Sequence, residues 1–439
     1  MHASLTISEV FALYRRVIAS PAVDLLSRRY QPKRRNRLYT AGTLFWLMMS
    51  QRLQSPGTLV QTVARVRRRH LGRLLRPVKK ISRRTGGYCR ARLRAPVAMI
   101  QAISLYLTTR LQQQLTHEDP RFPAGVYLID GTMLTLASQA ELVKNYPPGK
   151  NQHGISHWPL LRMVVLHEAR TGLAVAPAWG PRTISEQALA ERVLNQLPTG
   201  ALLLGDRNFG VFSMAYSVAQ RQCSMILRLT KARAGRLAAQ CVVAGSDQRV
   251  VWTPTPADRV AHPELPSEAR VEGRLVVAQL AGWREPLYLF TTLELPAAEV
   301  VELYGLRWNI ETDLRSIKQT VRLQHINVKS ADMVDKELWV ALAAYNLVRA
   351  VLCLAALQFN LHPRELSFTH VFWLVESYLP DLLAKPGSAR AERELQRLIR
   401  EAATCRLPRR KNRRSYPREI WLRRRSYPIR RATATPQSK

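Results

Sequence analysis

The chain has 439 residues, enough for two or three domains, and 46% of them are hydrophobic, which excludes wholesale disorder and allows a sizeable core. Its 67 Lys and Arg stand against 31 Asp and Glu, a net charge of +36, so it will associate with polyanions whatever else it does. Its 5 cysteines are scattered, odd in number and without a CxxC, which argues against a disulfide framework or zinc finger and suits a reducing cytoplasm.

The first segment, from Leu25 to His117, holds 21 Lys or Arg and no acid. It reads as helical: Leu44 to Met49 and Val97 to Leu115 carry apolar residues at helical spacing. Basic clusters lie between them, at Arg67, Arg68 and Arg69, at Lys79 and Lys80, and at Arg83 and Arg84, arranged as phosphate-facing cations would be. We expect a basic helical DNA-binding domain over residues 1–120. Met1 to Ala12 lacks the basic start and apolar run of a signal peptide.

After a Pro-containing linker the pattern changes. Val126 to Asp130, Leu160 to His167, Leu173 to Trp179, Ala201 to Asp206 and Met225 to Leu229 read as strands. Asn145-Tyr-Pro-Pro-Gly reads as a turn, Ser185 as a helix N-cap, and a second helix is expected from about Val211. This order describes an α/β layer with a mixed sheet, over residues 121–330. Between about 231 and 292, Val250 to Thr253, Arg274 to Ala278 and Leu287 to Thr292 are β-like among Gly and Pro, and read as a β-rich insertion. From Pro296 the chain turns helical again, with one helix expected through Tyr304 to Gln319 and C-terminal helices over 331–403. The most apolar stretch, Val340 to Leu357, is broken by Asn346 and Arg349, so no membrane partner is expected. From Thr404 to Lys439 a basic tail has 13 Lys or Arg against Glu419 alone, and repeats Arg413-Arg-Ser-Tyr-Pro at Arg424.

Two acids stand at or just past buried strands, where an α/β fold carries active residues: Asp130 in Ile-Asp-Gly-Thr and Asp206 in Gly-Asp-Arg-Asn-Phe-Gly. Each is equally at home in an ordinary turn. A third acid, Glu311, follows Tyr304 and Arg307 and precedes Lys318. On a continuous helix, at about 100° per residue, these four fall within an arc of roughly 60°. That face is either a solvated one with an Arg307–Glu311 ion pair worth about 0.3–0.5 kcal/mol, or a metal-ligating carboxylate flanked by phosphate-binding cations. Trp308 is expected to pack into the core on the opposite side.

The spacing Y-x2-R-x3-E-x6-K, matched by Tyr304, Arg307, Glu311 and Lys318, resembles the YREK signature of bacterial DDE transposases of the insertion-sequence-four family. The Asp-Gly-Thr at Asp130 and the Asp-Arg-small-Phe at Asp206 occur in the same order as in that family. The resemblance spans about residues 126–350. It implies an RNase H-like catalytic core carrying a β-rich insertion. It also implies metal-dependent cleavage of element ends followed by 3′-OH strand transfer into target DNA. Asp130, Asp206 and Glu311 would be the catalytic, metal-holding triad for two Mg²⁺ ions, with Mn²⁺ as a substitute. Arg307 and Lys318 would hold DNA phosphates, and Tyr304 a phosphate or terminal base. Trp283 or Tyr288 would be the aromatic that receives a flipped base. The implied partners are the terminal inverted repeats, target DNA and a second copy of the chain, in the bacterial cytoplasm. No GxxxxGK[ST] is present, so no nucleotide cofactor is expected. A catalytically silent DNA-binding derivative, or a nuclease that cuts without joining, would share much of this pattern.

Overall fold

The computed structural model describes Leu25, 28–30 and 39–408, apart from 55–56, 68–81, 116–119, 152–153, 239–242, 324–325 and 385–387. Arg68, Arg69, Lys79 and Lys80 lie outside the described residues, as does the tail beyond Pro408. The chain divides into two compact units, Met1–Arg406 and Leu407–Lys439.

The expected α/β layer is there, built on a mixed sheet. Its strands are β1 (Val126–Thr135), β2 (Pro148–Asn151), β3 (Gly154–Glu168), β4 (Ala174–Pro181), β5 (Leu202–Gly205), β6 (Ser224–Arg228), β7 (Asp247–Trp252), β8 (Val271–Ala278) and β9 (Leu287–Thr291). They run β2-β3-β1-β5-β6-β9-β8-β7, with β4 on β3. β1, β5 and β6 are parallel neighbours; the other pairings are antiparallel. The parallel centre is why Leu202, Leu203 and Leu204 are all buried: helices cover both faces of such a strand, so alternation disappears. Two expectations change here. Asn145-Tyr-Pro-Pro-Gly is no simple turn, because its last residues open β2, which pairs with a β3 longer than the apolar run alone indicated. The strands between 231 and 292 exist, but they extend the central sheet through β9 on β6.

The first helices are α1 (Ala41–Arg52), α2 (Leu59–Arg67), α3 (Gly86–Arg94) and α4 (Val97–Leu115). α4 buries Met99, Ile100, Ile103, Leu107 and Leu111, a stripe at the i, i+3, i+4 spacing of one helical face. Further on come α5 (Ala140–Asn145), α6 (Glu186–Leu194), α7 (Phe212–Gln220), α8 (Lys231–Leu237), α9 (Pro256–Ala261), α10 (Ala297–Gly305), α11 (Trp308–Arg315), α12 (Ala331–Gln358), α13 (Phe368–Ala384) and α14 (Ala389–Thr404). α12 is long and apolar enough to cross a membrane, yet 94% of its most apolar window is buried inside the protein. It is apolar all round because it is the axis on which α1, α4 and α14 pack.

Polar residues lock that axis. Glu337 accepts from both Arg52 and Arg92, joining α12 to the basic N-terminal helices. Burial alone would raise this carboxyl; the two guanidinium groups hold it below its ordinary value. Lys336, fully buried, pairs with Asp332 and donates to the carbonyls of Arg92 and Leu93. The Asn346 amide, which broke the apolar run, bonds the backbone of Ala174 and the Thr108 hydroxyl. These residues take the charge and polarity out of a helix that must lie in the core.

Candidate active site

Strand register brings the two aspartates together. Ile129 on β1 pairs with Gly205 at the end of β5, so the next residues, Asp130 and Asp206, emerge side by side. β5 stops there, whereas β1 runs on against β3 to Thr135. Asp130 is therefore not in a turn but in mid-strand, at the point where its parallel neighbour ends. Asp206 is fixed by a turn of its own. Its Oδ1 accepts from the Asn208 N–H at 2.8 Å, and its carbonyl accepts from Phe209 and Gly210. Phe209 is fully buried as the anchor. Gly210 is required because a Cβ there would stand 2.1 Å from the Arg228 carbonyl oxygen.

The Tyr304–Lys318 segment is not the single helix expected. Backbone bonds of the i→i+3 kind, Arg307 to Tyr304, Asn309 to Leu306 and Ile310 to Arg307, tighten the chain between α10 and α11. From Ser316 to Thr320 it widens into a π turn that carries Lys318, closed by Val321 N–H on the Ser316 carbonyl. α11 packs on β1, and this brings Glu311 to the aspartate end of the sheet.

Arg307 is the centre of the arrangement. It is buried; its Nη2 donates to Glu311 Oε1 at 2.9 Å and its Nη1 stands 3.7 Å from Asp130 Oδ2. Its Nε and the buried Tyr304 hydroxyl make no well-formed hydrogen bond. Burial pushes the Asp130 carboxyl up to about 6; the Gly131 N–H and Arg307 oppose the rise, while Asp206 and Glu186 add to it. Burial also raises the Tyr304 phenol to about 12, against the pull of Arg307 and Arg228. Among the described residues, no three carboxylate, imidazole or thiol side chains are already gathered as an ion-binding set. The three acids share one end of the sheet, but Glu311 is turned to Arg307.

Trp308 is not in the core: it is 48% exposed and lies against the Arg307 guanidinium, 5.1 Å from Cζ to ring centroid. Tyr288 faces inward from β9 and is buried, so its ring is not presented as a platform. Trp283 is exposed, with the Arg228 guanidinium 5.4 Å from its ring. Arg67, Arg83 and Arg84 are exposed on the basic N-terminal segment. Sequence reading missed Glu186, whose carboxylate reaches Asn208 and lies against Gly131. It opens α6 behind the Ser185 cap, where an acid is favoured by the helix dipole and so drew no notice.

Residues 121–347 match the family model described as "Transposase DDE domain". The chain is 28% identical over 359 residues to the transposase InsG for insertion sequence element IS4 of Escherichia coli (strain K12), covering 76% of this chain and 78% of that protein. A cryo-EM structure of the piggyBac transposase synaptic complex with hairpin DNA is similar with a TM-score of 0.45 and 10% identity, over 91% of this chain and 86% of that one, too loose a likeness to bear on the site. A family model that takes in both strand-end aspartates, the Arg307–Glu311 pair and the first part of α12 leaves one assignment: the chain belongs to the transposase DDE domain family and is a DNA transposase.

Proposed function

We propose that Asp130, Asp206 and Glu311 are the catalytic triad of this transposase, and that they hold two divalent cations, Mg²⁺ or in its place Mn²⁺. The observation that carries the reading is that Asp130 and Asp206 each follow directly on the Ile129–Gly205 pair at the end of β5, with Arg307 joining Asp130 to Glu311 on α11. The residues fit such ions. All three donors are carboxylate oxygens, the ligand type a hard divalent cation prefers. The Asp130 carboxyl is raised chiefly by burial, and Asp206 and Glu186 add to the rise, so a bound cation would favour its charged form. Two such ions would neutralise the scissile phosphate, activate the attacking water and stabilise the leaving 3′-oxygen.

The protein's own part is positioning. Arg307 and the adjacent Tyr304 place a guanidinium and a phenol hydroxyl beside the acids, two donor groups suited to phosphate oxygens. Lys318 lies on the widened turn beyond and takes a more distant phosphate. Trp283, exposed beside Arg228, is the surface on which an unpaired base would stack. The sheet with its β7–β9 extension is read as an RNase H-like core and its insertion. The basic segment 1–120 and the tail 404–439 supply the sequence-independent grip on element ends and target DNA. Two copies would act on paired ends, in the bacterial cytoplasm where the DNA is.

The test is strand transfer from a precut element end with its 3′-OH exposed. Joined product with the wild type and none with Asp130→Asn supports the reading; cutting without any joining would leave a nuclease.

A further inference from the structure

Glu186 is a carboxylate at the active site that the triad does not use. It is half-buried, and its position is not accounted for by the helix dipole, which asks only for an acid in the first turn. The side chain folds back onto the sheet instead. Its Oε2 accepts from the Asn208 side-chain amide, and its Oε1 stands 3.8 Å from Arg162 Nε. The next residue, Gln187, donates to the Asn208 carbonyl at 2.7 Å and to its Oδ1 at 3.0 Å. Asn208 is thus clasped from α6, and its own N–H holds the Asp206 carboxylate at 2.8 Å. Glycine at 131 makes room for this. A Cβ there would lie 2.6 Å from Glu186 Cδ and 2.7 Å from its Oε1, and its three nearest atoms all belong to Glu186.

We propose that Glu186 is a positioning residue of the transposase: through Asn208 it sets the orientation of the Asp206 carboxylate, and Gly131 is the opening that admits it. The inference rests on the reading of Asp130, Asp206 and Glu311 as the ion-holding set. It gives the glycine of Asp130-Gly131-Thr132 a physical reason. The strand needs no special backbone conformation at that point; it needs the space above Gly131.

The experiment is Mn²⁺ binding to the full-length protein without DNA, read from the free-ion signal by electron paramagnetic resonance. The variants are Glu186→Ala, Glu186→Gln, Gly131→Ala and Asp206→Asn, with thermal melts alongside. Glu186→Ala is expected to weaken Mn²⁺ about tenfold, the usual cost of losing a residue that orients a ligand. Gly131→Ala, which displaces only the end of a flexible side chain, should do the same. Glu186→Gln keeps an oxygen for Asn208 and should recover most of the loss. The inference is overturned if Glu186→Ala and Gly131→Ala bind Mn²⁺ as the wild type does while Asp206→Asn is weakened. It is also overturned if Glu186→Gln binds as poorly as Glu186→Ala, since charge and not the clasp would then matter. A lower melting temperature with unchanged Mn²⁺ affinity would make Glu186 merely structural. Should Asp206→Asn itself bind as the wild type does, the ion-holding reading falls, and this inference with it.

Discussion

The Arg307 guanidinium bridges Asp130 and Glu311, 3.7 Å from Oδ2 of the first and 2.9 Å from Oε1 of the second. Burial would lower its basicity, but Tyr304, Glu311 and Asp130 hold it up, so it is a firm cation. On the proposed reading it competes for the carboxylates that would hold the divalent ions. Arg307→Ala should therefore raise Mn²⁺ affinity in the absence of DNA, yet lower cleavage by about 10²-fold, since even a small misplacement of the reacting phosphate costs that much. Arg307→Lys keeps the charge but not the fork, and should recover part of the cleavage. Equal Mn²⁺ binding and equal single-turnover cleavage in all three proteins would remove Arg307 from the site.

Asp130→Asn, Asp206→Asn and Glu311→Gln remove charge with little change of shape. Each should reduce cleavage below detection and leave binding to an element end within about twofold, because binding rests on phosphate contacts made by other cations. Gel-shift and cleavage assays on the same preparations separate the two. A variant that still cuts would strike its residue from the triad.

The placement of the acids was legible because each sits beside a local cue: a buried strand, a glycine, or a fixed spacing from Arg307. The element order of the α/β layer followed from apolar runs and turn residues such as Thr171-Gly172. Gly172 is indeed at φ +74° with Arg349 packed against it. What the sequence hid was long-range. Nothing local shows that β9 will pair with β6, because a strand's partner is set by the whole sheet. Nothing local shows that Asp130 is in mid-strand, since the pairing that continues past it is with β3. The change of winding around Arg307 and Lys318 has no Pro or Gly pair to announce it. Glu186 was invisible for the same reason: its partners lie 22 and 55 positions away.

Acid stability offers a test with opposed signs. Burial pulls His167 down to about 4, against Asp313 and the Gly172 carbonyl. Its unfolded form binds more protons between about 6.5 and 4, so this residue costs stability as pH falls through that window, up to about 3 kcal/mol. Asp130 works the other way. Its folded carboxyl is raised to about 6, so the folded state binds the extra proton and gains stability as pH falls from about 6 to 4. Relative to the wild type, His167→Gln should lose less stability from pH 6.5 to 4.5, and Asp130→Asn should lose more, by urea unfolding. Parallel curves for all three would refute both assignments.

DNA binding should be steeply salt-dependent. Neutralising six to ten phosphates implies a loss of roughly 10³–10⁵ in affinity between 50 and 200 mM salt. Replacing Arg67, Arg83 and Arg84 together with Ala should flatten the log–log slope by about 3, near one per phosphate contact. Lys318→Ala should weaken engagement of the cleaved end more than it slows the first cut. An unchanged slope in the triple variant would show that these exposed cations do not meet the backbone.

The helix that carries Glu311 is held from behind by Asp313, which is fully buried and accepts from Arg349 on α12 and, at 2.6 Å, from Arg364. Burial alone would raise this carboxyl, but the two guanidinium groups hold it below its ordinary value. Asp313→Asn keeps the shape and removes the charge, leaving the buried Arg349 and the partly buried Arg364 without this counter-ion. Breaking such a cluster costs about 3–5 kcal/mol, a large part of the 5–15 kcal/mol that holds a domain together. Arg364→Met removes one arm and leaves the Arg349 pair whole, so it should cost clearly less. Below its melting temperature Asp313→Asn should bind element ends normally but cut slowly, because Glu311 stands two residues away on a helix that has lost its anchor. Urea unfolding ranks the stabilities, and single-turnover cleavage at a temperature where each variant is folded reads the second effect. An Asp313→Asn protein as stable and as active as the wild type would mean that α11 is held by its apolar face alone, through Ile310 and Leu314.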